Sequence, residues 1–366
     1  MTQIRIATHN DKSDFYRLWK ICFGDSDAFC DWFFENRFTP EYSVVLEAEE
    51  EIVSCMQAFP YAVRIRGKEI PGAMLCGVST HPEHRGKGYM GKIFSYEMNH
   101  LRKLGCFIAP HTPAILPSYF SFGHLPVANA NYLESESVPV FDSNVKLVSF
   151  GKERWSELYP LYTAFSKKYS GIIARTEADF LRKAEDYAAD GGQCAAYIEN
   201  NEIKGYGFYY QMEDAFLCVE TAAEDGYYKP LMEGLLYEAV GQRFLAKLPA
   251  DVTVEFPFAK TEVKQKGVMG LCNATVLLNA LELEIPYGIQ IKDHIVPENN
   301  CIFDFKGKPY TDKPVFEISA GHLLQVLVGY HDLKELKNEI IVYDEKKFEE
   351  IHALLPKQNC YIIDEY

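Results

Sequence analysis

Positive charge is scarce in this chain of 366 residues: 37 Lys and Arg stand against 52 Asp and Glu, a formal net charge of −15. Nucleic-acid backbones need a cationic surface, so nucleic acid is not expected as a partner. The same excess favours cationic small molecules or peptides through long-range attraction. Apolar runs long enough to span a bilayer are missing. The first residues, MTQIRIATHNDKSDF, hold no apolar h-region, so no secretory signal is expected. The ten cysteines include no C-x-x-C pair and lie mostly in apolar runs. They read as reduced core thiols of a cytoplasmic protein, which excludes a disulfide frame and a cysteine metal site. No linker rich in Pro, Gly or Ser interrupts the chain, so its parts are expected to pack together.

What is present is the composition of a folded protein, 48% hydrophobic and 24% charged. The length suits two or three domains with sizeable cores. Aromatics reach 14%, with 24 Tyr and 24 Phe, which points to pockets or large packed interfaces.

The most informative stretch is Met74–Gly91, MLCGVSTHPEHRGKGYMG. Met74–Val78 reads as a buried strand, and His81-Pro82 should end it. Arg85-Gly86-Lys87-Gly88 follows, and Lys92–Leu104 carries Ile93, Phe94, Met98 and Leu101 at helical spacing. A strand, a glycine-rich basic turn and a helix N-terminus make an anion site, because unpaired N–H groups and the helix dipole face the ligand. The Gly-Lys-Ser/Thr ending of a nucleoside-triphosphate loop is absent, and so is the dinucleotide spacing.

Along the chain, Ile4–Ala7 suits an edge strand, and Phe15, Leu18, Trp19 and Ile21 make a helical face. Strands are expected at 42–47 and 52–59, with a hairpin arm turning at Arg66-Gly67-Lys68. Cys106–Pro110 is a strand broken by His111-Thr112-Pro113, Leu116–Gly123 a short aromatic helix, and Asn131–Val140 a strand. The order then recurs: strand 145–150, helices through 161 and 176–188, a hairpin at 194–211, strand 216–221, helix Tyr228–Phe244 and strand Val252–Pro257. At the corresponding loop the repeat reads TAAEDGYYK, acidic and without the glycine pattern. After Val276 come short strands, a Ser319-capped helix to Val328, a helix at 346–355 and a terminal apolar strand, Cys360–Tyr366. His81, His84 and His111 show no metal spacing and read as surface or packing residues; no metal is expected.

Arg85-Gly86-Lys87-Gly88-Tyr89-Met90 resembles the pyrophosphate loop of GNAT (GCN5-related) N-acetyltransferases, Arg/Gln-x-x-Gly-x-Gly/Ala. Tyr119-Phe120-Ser121-Phe122-Gly123 resembles the Tyr-x-x-Phe-Gly segment of the Eis (enhanced intracellular survival) subgroup, and EISAGHLLQVLVGY loosely resembles the sterol-carrier-protein-like fold at that subgroup's end. The resemblance implies an α/β chain of tandem GNAT folds followed by a sterol-carrier-like unit. The implied boundaries are 1–142, 143–275 with a degenerate repeat, and 276–366. It implies acetyl-CoA as cosubstrate, held by Val78, Ser79, Thr80, Arg85, Gly86, Lys87, Gly88, Tyr89, Met90 and Gly91. It also implies assembly into trimers or hexamers.

The implied chemistry is transfer of acetyl from the thioester to a primary amine of an aminoglycoside, polyamine or lysine. An alkylamine of pKa about 10.4 must lose a proton to attack, and an acid must serve the leaving thiolate. The resemblance assigns the acid to Tyr119 and the base to the C-terminal carboxylate of Tyr366. It places Phe23, Asp25, Trp32, Phe33 and Glu365 around the acceptor. Most tyrosines in aromatic runs only fill cores, and Asp25 also suits a plain loop. Two departures stand out: Gly86-Lys87 where the subgroup is arginine-rich, and His124 after the Phe-Gly. The rival reading is a non-catalytic acyl-CoA or lipid carrier that uses the last unit. A tRNA-using transferase is disfavoured by the charge and by the single intact loop.

Overall fold

The computed structural model describes residues 2–365. Its backbone gathers into two compact units. Unit 1 spans Met1–Ala128, Ser170–Ile173 and Lys266–Tyr366; unit 2 spans Asn129–Tyr169 and Ala174–Gln265.

Unit 1 begins with β1 (Thr2–Ile6), α1 (Lys12–Cys22), α2 (Asp27–Asn36), β2 (Val44–Ala48), β3 (Glu51–Ile65), β4 (Lys68–Thr80), α3 (Tyr89–Lys103) and β5 (Ile108–His111). The two hairpins are set by their turns. Glu49 and Glu50 have φ of 55° and 69°, and Arg66 and Gly67 have 48° and 78°, the paired left-handed turns that match strand twist. β3 and β4 are buried on both faces, because α1 and α2 cover one side and α3 the other. α1 buries Phe15, Leu18 and Trp19, whereas Ile21, expected on that face, is exposed. His111 was expected to break its strand and is instead its last residue.

β6 (Leu125–Ser135) replaces the expected strand at 131–140 and carries the chain into unit 2. There follow β7 (Leu147–Ser149), α4 (Tyr159–Ser166), α5 (Glu177–Ala189), β8 (Gln193–Glu199), β9 (Glu202–Gln211), β10 (Ala215–Ala223), α6 (Tyr228–Glu238) and β11 (Arg243–Pro249). This repeats the element order of β1 to β5. Thr176 caps α5 with a reciprocal box to Asp179. The expected helix to Phe244 stops at Glu238: Gly241 takes φ 85°, and Phe244 enters β11 opposite Ser135. Val252–Pro257 is no strand; Asn131 Nδ2 donates to Val252 O at 2.8 Å and holds the segment by a side chain.

β12 (Lys260–Leu271), unforeseen in the sequence, returns the chain to unit 1. The order within unit 1 is β1-β2-β3-β4-β5-β12, and within unit 2 it is β6-β11-β10-β9-β8-β7. Each repeat is thus closed by a strand that follows the other repeat in sequence. Both sheets are mixed, with one parallel pair each, β4 with β5 and β10 with β11.

The rest of unit 1 contains α7 (Ala274–Leu281), β13 (Gly288–Lys292), β14 (Ile302–Asp304), β15 (Phe316–Ser319), α8 (Ala320–Val328), β16 (Ile341–Val342) and α9 (Glu345–Leu354). The strands form a sheet in the order β14-β13-β15-β16. Ser319 Oγ accepts from His322 N and caps α8. At its other end Arg66 donates to Val326 O at 2.9 Å and Leu327 O at 2.8 Å, and Ser170 Oγ to Val328 O at 2.6 Å. These bonds satisfy carbonyls that a helix end leaves orphaned. Leu323, Leu324, Val326 and Leu327 are all buried in the core. The expected terminal strand is absent among the described residues, where Cys360 makes only a bridge to Ser170. No helix among the described residues is long and apolar enough to cross a membrane.

Candidate active site

The loop between β4 and α3 has the geometry of an anion cradle. Gly86 and Gly88 take φ of 75° and 74°, and Gly88 is the N-cap of α3. Residues with side chains rarely adopt that conformation, so these two positions favour glycine. The first N–H groups of α3 have no partner within the helix and face the loop. Arg85 Nε donates to Thr80 O at 3.1 Å and fastens the loop to the strand end; Lys87 is exposed.

Among the described residues β4 and β5 register only at Gly72 opposite Ile108. On its other edge β5 pairs with β12 over its whole length, from Ile108 opposite Leu271 to His111 opposite Val268. β4 runs on to Val78, Ser79 and Thr80 with no further registered pair to β5 among the described residues. β4 is also bulged against β3 between Cys55 and Gln57, where Gly77 turns to φ 58°. A Cβ there would lie 2.6 Å from the Trp19 ring, so the position requires glycine. In unit 2 the corresponding strands β10 and β11 register over Ala215–Cys218, and beyond that Thr221 Oγ1 bridges them by donating to Lys247 O at 3.0 Å. The loop before α6 carries Glu224 and Asp225, which repel an anion.

Tyr119 sits on a 3-10 turn, Leu116–Phe122, that packs on α3. Its ring is half-buried, 4.5 Å from the ring of His111 and 5.5 Å from that of Phe94. Burial holds its phenol above the usual tyrosine range, so the group stays protonated well into alkaline pH. The turn is fastened from behind, where His294 Nε2 lies 2.7 Å from Ser121 O. The next residue's carbonyl, Ile295 O, accepts from Asn99 Nδ2 of α3 at 3.1 Å.

The expected base, Tyr366, lies outside the described residues. The segment before it is fixed: Tyr361, Ile362, Ile363 and Asp364 are buried. Thr112 Oγ1, next to His111, donates to Asp364 O at 3.1 Å. Lys266 Nζ donates to Ile363 O and pairs with Glu365, each at 3.3 Å. Glu365 therefore has a cationic partner already.

Three of the expected acceptor residues, Phe23, Asp25 and Phe33, contact Trp19, which had no expected role in the site. Its Nε1 donates to Asp25 Oδ2 at 2.7 Å, and its ring lies 4.9 Å from that of Phe23, which is exposed. Trp32 is half-buried against the core cluster that holds Trp19, and Phe33, at 1% exposure, lies in that core, 4.7 Å from Trp19. Gln57, at the bulge, has neither amide atom hydrogen-bonded among the described residues.

Glu97 was missed because it lies on the apolar face of α3. It is 0% exposed, with both carboxylate oxygens unpartnered among the described residues, near Cys106 and Cys272. Burial raises its pKa well above the ordinary value of 4.5. A raised carboxyl pKa means folding binds a proton, so stability falls as pH rises from the unfolded value toward the folded one. Glu97→Gln is expected to gain stability over the parent chain as pH rises from 5 to 7, by at most about 1.4 kcal/mol per pH unit. Urea midpoints at both pH values check this; a gap independent of pH would contradict it.

Residues 3–126 match the family described as an acetyltransferase (GNAT) domain. A search of curated proteins found no sequence match. Among solved structures the chain is similar to a GCN5-related N-acetyltransferase from Anabaena variabilis, with TM-score 0.82 and 13% identity, all of both chains being covered. It is similar to Eis1 from Mycobacterium abscessus, with TM-score 0.76, 14% identity and the same full coverage. It is likewise similar to a conserved protein of unknown function, a probable N-acyltransferase, from Enterococcus faecalis, with TM-score 0.79, 18% identity and full coverage. The fold is shared over the whole length, and the first third of the chain carries the domain of an acyltransferase.

Proposed function

We propose that this chain, which carries an acetyltransferase (GNAT) domain over residues 3–126, moves acetyl from acetyl-CoA directly to a primary amine of a cationic acceptor of aminoglycoside, polyamine or lysine type. The observation that carries this reading is the meeting of three features in unit 1: the glycine cradle at the start of α3, the end of the β4–β5 ladder at Gly72, and the half-buried Tyr119 packed on α3. In this reading Arg85–Gly91 hold the pyrophosphate, and Val78–Thr80 hold the pantetheine arm. The ammonium first gives a proton to the base; the neutral nitrogen then bonds to the acetyl carbon, the carbon–sulfur bond breaks, the sulfur takes a proton from Tyr119, and the phenolate regains one from the new amide nitrogen.

The base is the carboxylate of Tyr366. Support comes from the buried 361–364 segment and from its ties to Thr112, next to His111, and to Lys266. Asp25, Phe23 and Trp32 receive the acceptor, with Phe33 behind them. Glu365 acts with Lys266 at the rim. The remaining parts of the reading are an Eis-type organisation (1–142, 143–275 and a sterol-carrier-like 276–366), assembly into trimers or hexamers, and a cytoplasmic location. The full-length likeness to Eis1 supports the Eis-type organisation. The rival lipid carrier draws no support from α8, whose leucines are buried in the core.

An added glycine-serine tail after Tyr366 tests the base. The expected outcome is a loss of turnover by about 100-fold or more with the calorimetric affinity for acetyl-CoA unchanged. Full turnover with the tail in place would rule out the carboxylate.

A further inference from the structure

Behind Tyr119 lies a polar feature that the acid–base scheme does not use. His111 ends β5, and His124 follows the left-handed Gly123 that closes the Tyr119 turn. They are 3% and 0% exposed. Their rings lie 5.0 Å apart, tilted by 59°, and Phe94 closes the group at 5.1 Å from His124. The seat for His124 is made by the sheet: a Cβ on Gly270 of β12 would stand 2.1 Å from its Nε2. Gly270 falls on the same face of β12 as Val268, the residue opposite His111.

None of the four ring nitrogens has a hydrogen-bond partner among the described residues. Each neutral imidazole carries one donor and one acceptor, and each unpaired buried group costs about 1–3 kcal/mol. Two phenylalanines would fill the space without that cost, so packing alone does not account for the pair. The ring spacing does suggest a solution. An N–H···N bond of about 2.9 Å plus two ring radii of about 1.2 Å gives about 5.3 Å between centroids. The 5.0 Å separation is therefore about that of a hydrogen-bonded pair of imidazoles. The linked pair keeps one donor and one acceptor free, and the half-buried Tyr119, whose ring lies 4.5 Å from that of His111, is a polar neighbour it can serve.

We propose that His124, acting through His111, positions the Tyr119 phenol for donation to the leaving sulfur. His124 makes no ring contact with Tyr119 among the described residues and is a positioning residue. Burial disfavours the charged form of both imidazoles, which keeps the pair neutral and able to donate and accept. The inference rests on Tyr119 acting as the acid.

The test compares Tyr119→Phe, His124→Phe, His124→Gln and His111→Gln in the full chain, with acetyl-CoA and whichever amine the parent acetylates. Each is read for kcat, the KM for acetyl-CoA, the pH–rate profile and Tm. His124→Phe is expected to lower kcat by about 10- to 100-fold with that KM unchanged, and to shift the alkaline limb of the profile. His124→Gln, which keeps a donor and an acceptor, should recover part of kcat. If the phenylalanine variant does not fold, His111→Gln carries the test, with the same limb shift expected. A kcat within twofold of the parent at unchanged Tm overturns the proposal. So does a joint fall of kcat and Tm with no limb shift and no recovery in the glutamine variant. Activity retained in Tyr119→Phe overturns the acid reading itself, whereas an inactive Tyr119→Phe beside a normal His124→Phe overturns only the positioning role.

Discussion

Tyr119→Phe is expected to lower kcat by about 10²- to 10⁴-fold, the usual contribution of a general acid, and to leave acetyl-CoA binding as it was. The hydroxyl is removed, while the ring that packs against His111 and Phe94 stays. The loop residues Arg85 to Gly91 are untouched, so cofactor affinity measured by calorimetry should not move. The phenol's raised pKa sets the pH dependence. The donor loses its proton only above the ordinary tyrosine value of 10.0, so no loss of rate below that pH is assigned to Tyr119. Such a phenol is a weaker acid than a thiol of pKa about 8.5, so it serves the developing thiolate first as a hydrogen-bond donor, with full transfer coming late. A variant with parental kcat would remove Tyr119 from the chemistry.

Arg175→Met is expected to destabilise unit 2 by about 3–5 kcal/mol, the cost of leaving one member of a buried ion pair alone. Arg175 meets Glu220 in two parallel hydrogen bonds of 3.0 and 2.9 Å, with both side chains essentially inaccessible. Tyr206 and Tyr187 donate to the two carboxylate oxygens at 2.9 and 3.1 Å, and Arg175 lies over the Tyr162 ring at 4.8 Å. Burial pushes the Glu220 pKa up, and Arg175 with the two phenols overrides it, leaving a net lowering. A carboxylate with a depressed folded pKa adds stability above its unfolded value, and that stability is lost as pH falls toward the folded one. Arg175→Met removes the partner, so the carboxyl must be buried unpaired or take up a proton. Denaturant midpoints and amide exchange in β10 at pH 7 measure the loss. Combining Arg175→Met with Glu220→Leu should cost less than the sum of the singles, because the second change removes the stranded charge. A loss below about 1 kcal/mol, typical of an exposed pair, would contradict this account.

Local signals carried much of the fold. The Arg66-Gly67 turn, the Thr176 and Ser319 caps and the Arg85–Gly91 loop all act through neighbours in sequence, and each was legible there. The failures were tertiary. Val252–Pro257 alternates like a strand, yet Asn131 claims the Val252 carbonyl; β12 begins with exposed, largely charged residues, is buried only from Lys266 and apolar only from Gly267 on. Phe244 fits a helical pattern until β6 and β10 offer it a place between them in the sheet. The site divides in the same way. The glycine loop and Tyr119 announce themselves through local motifs. His111, His124, Trp19 and Glu97 do not, because their surroundings are assembled from β12, the bulge at Gly77 and the buried face of α3. A histidine in an apolar run looks like any other until Gly270 is seen to make room for it.

The central claim is that acetyl-CoA is consumed to acetylate a cationic amine. Thiol release from acetyl-CoA, followed across polyamines, aminoglycosides and lysine peptides with mass spectrometry of the products, tests it most directly. The account predicts amine-dependent release, with one acetyl group on a primary amine for each thiol formed, abolished in Tyr119→Phe. Tight binding of acetyl-CoA with no amine-dependent release from any member of the panel would contradict it.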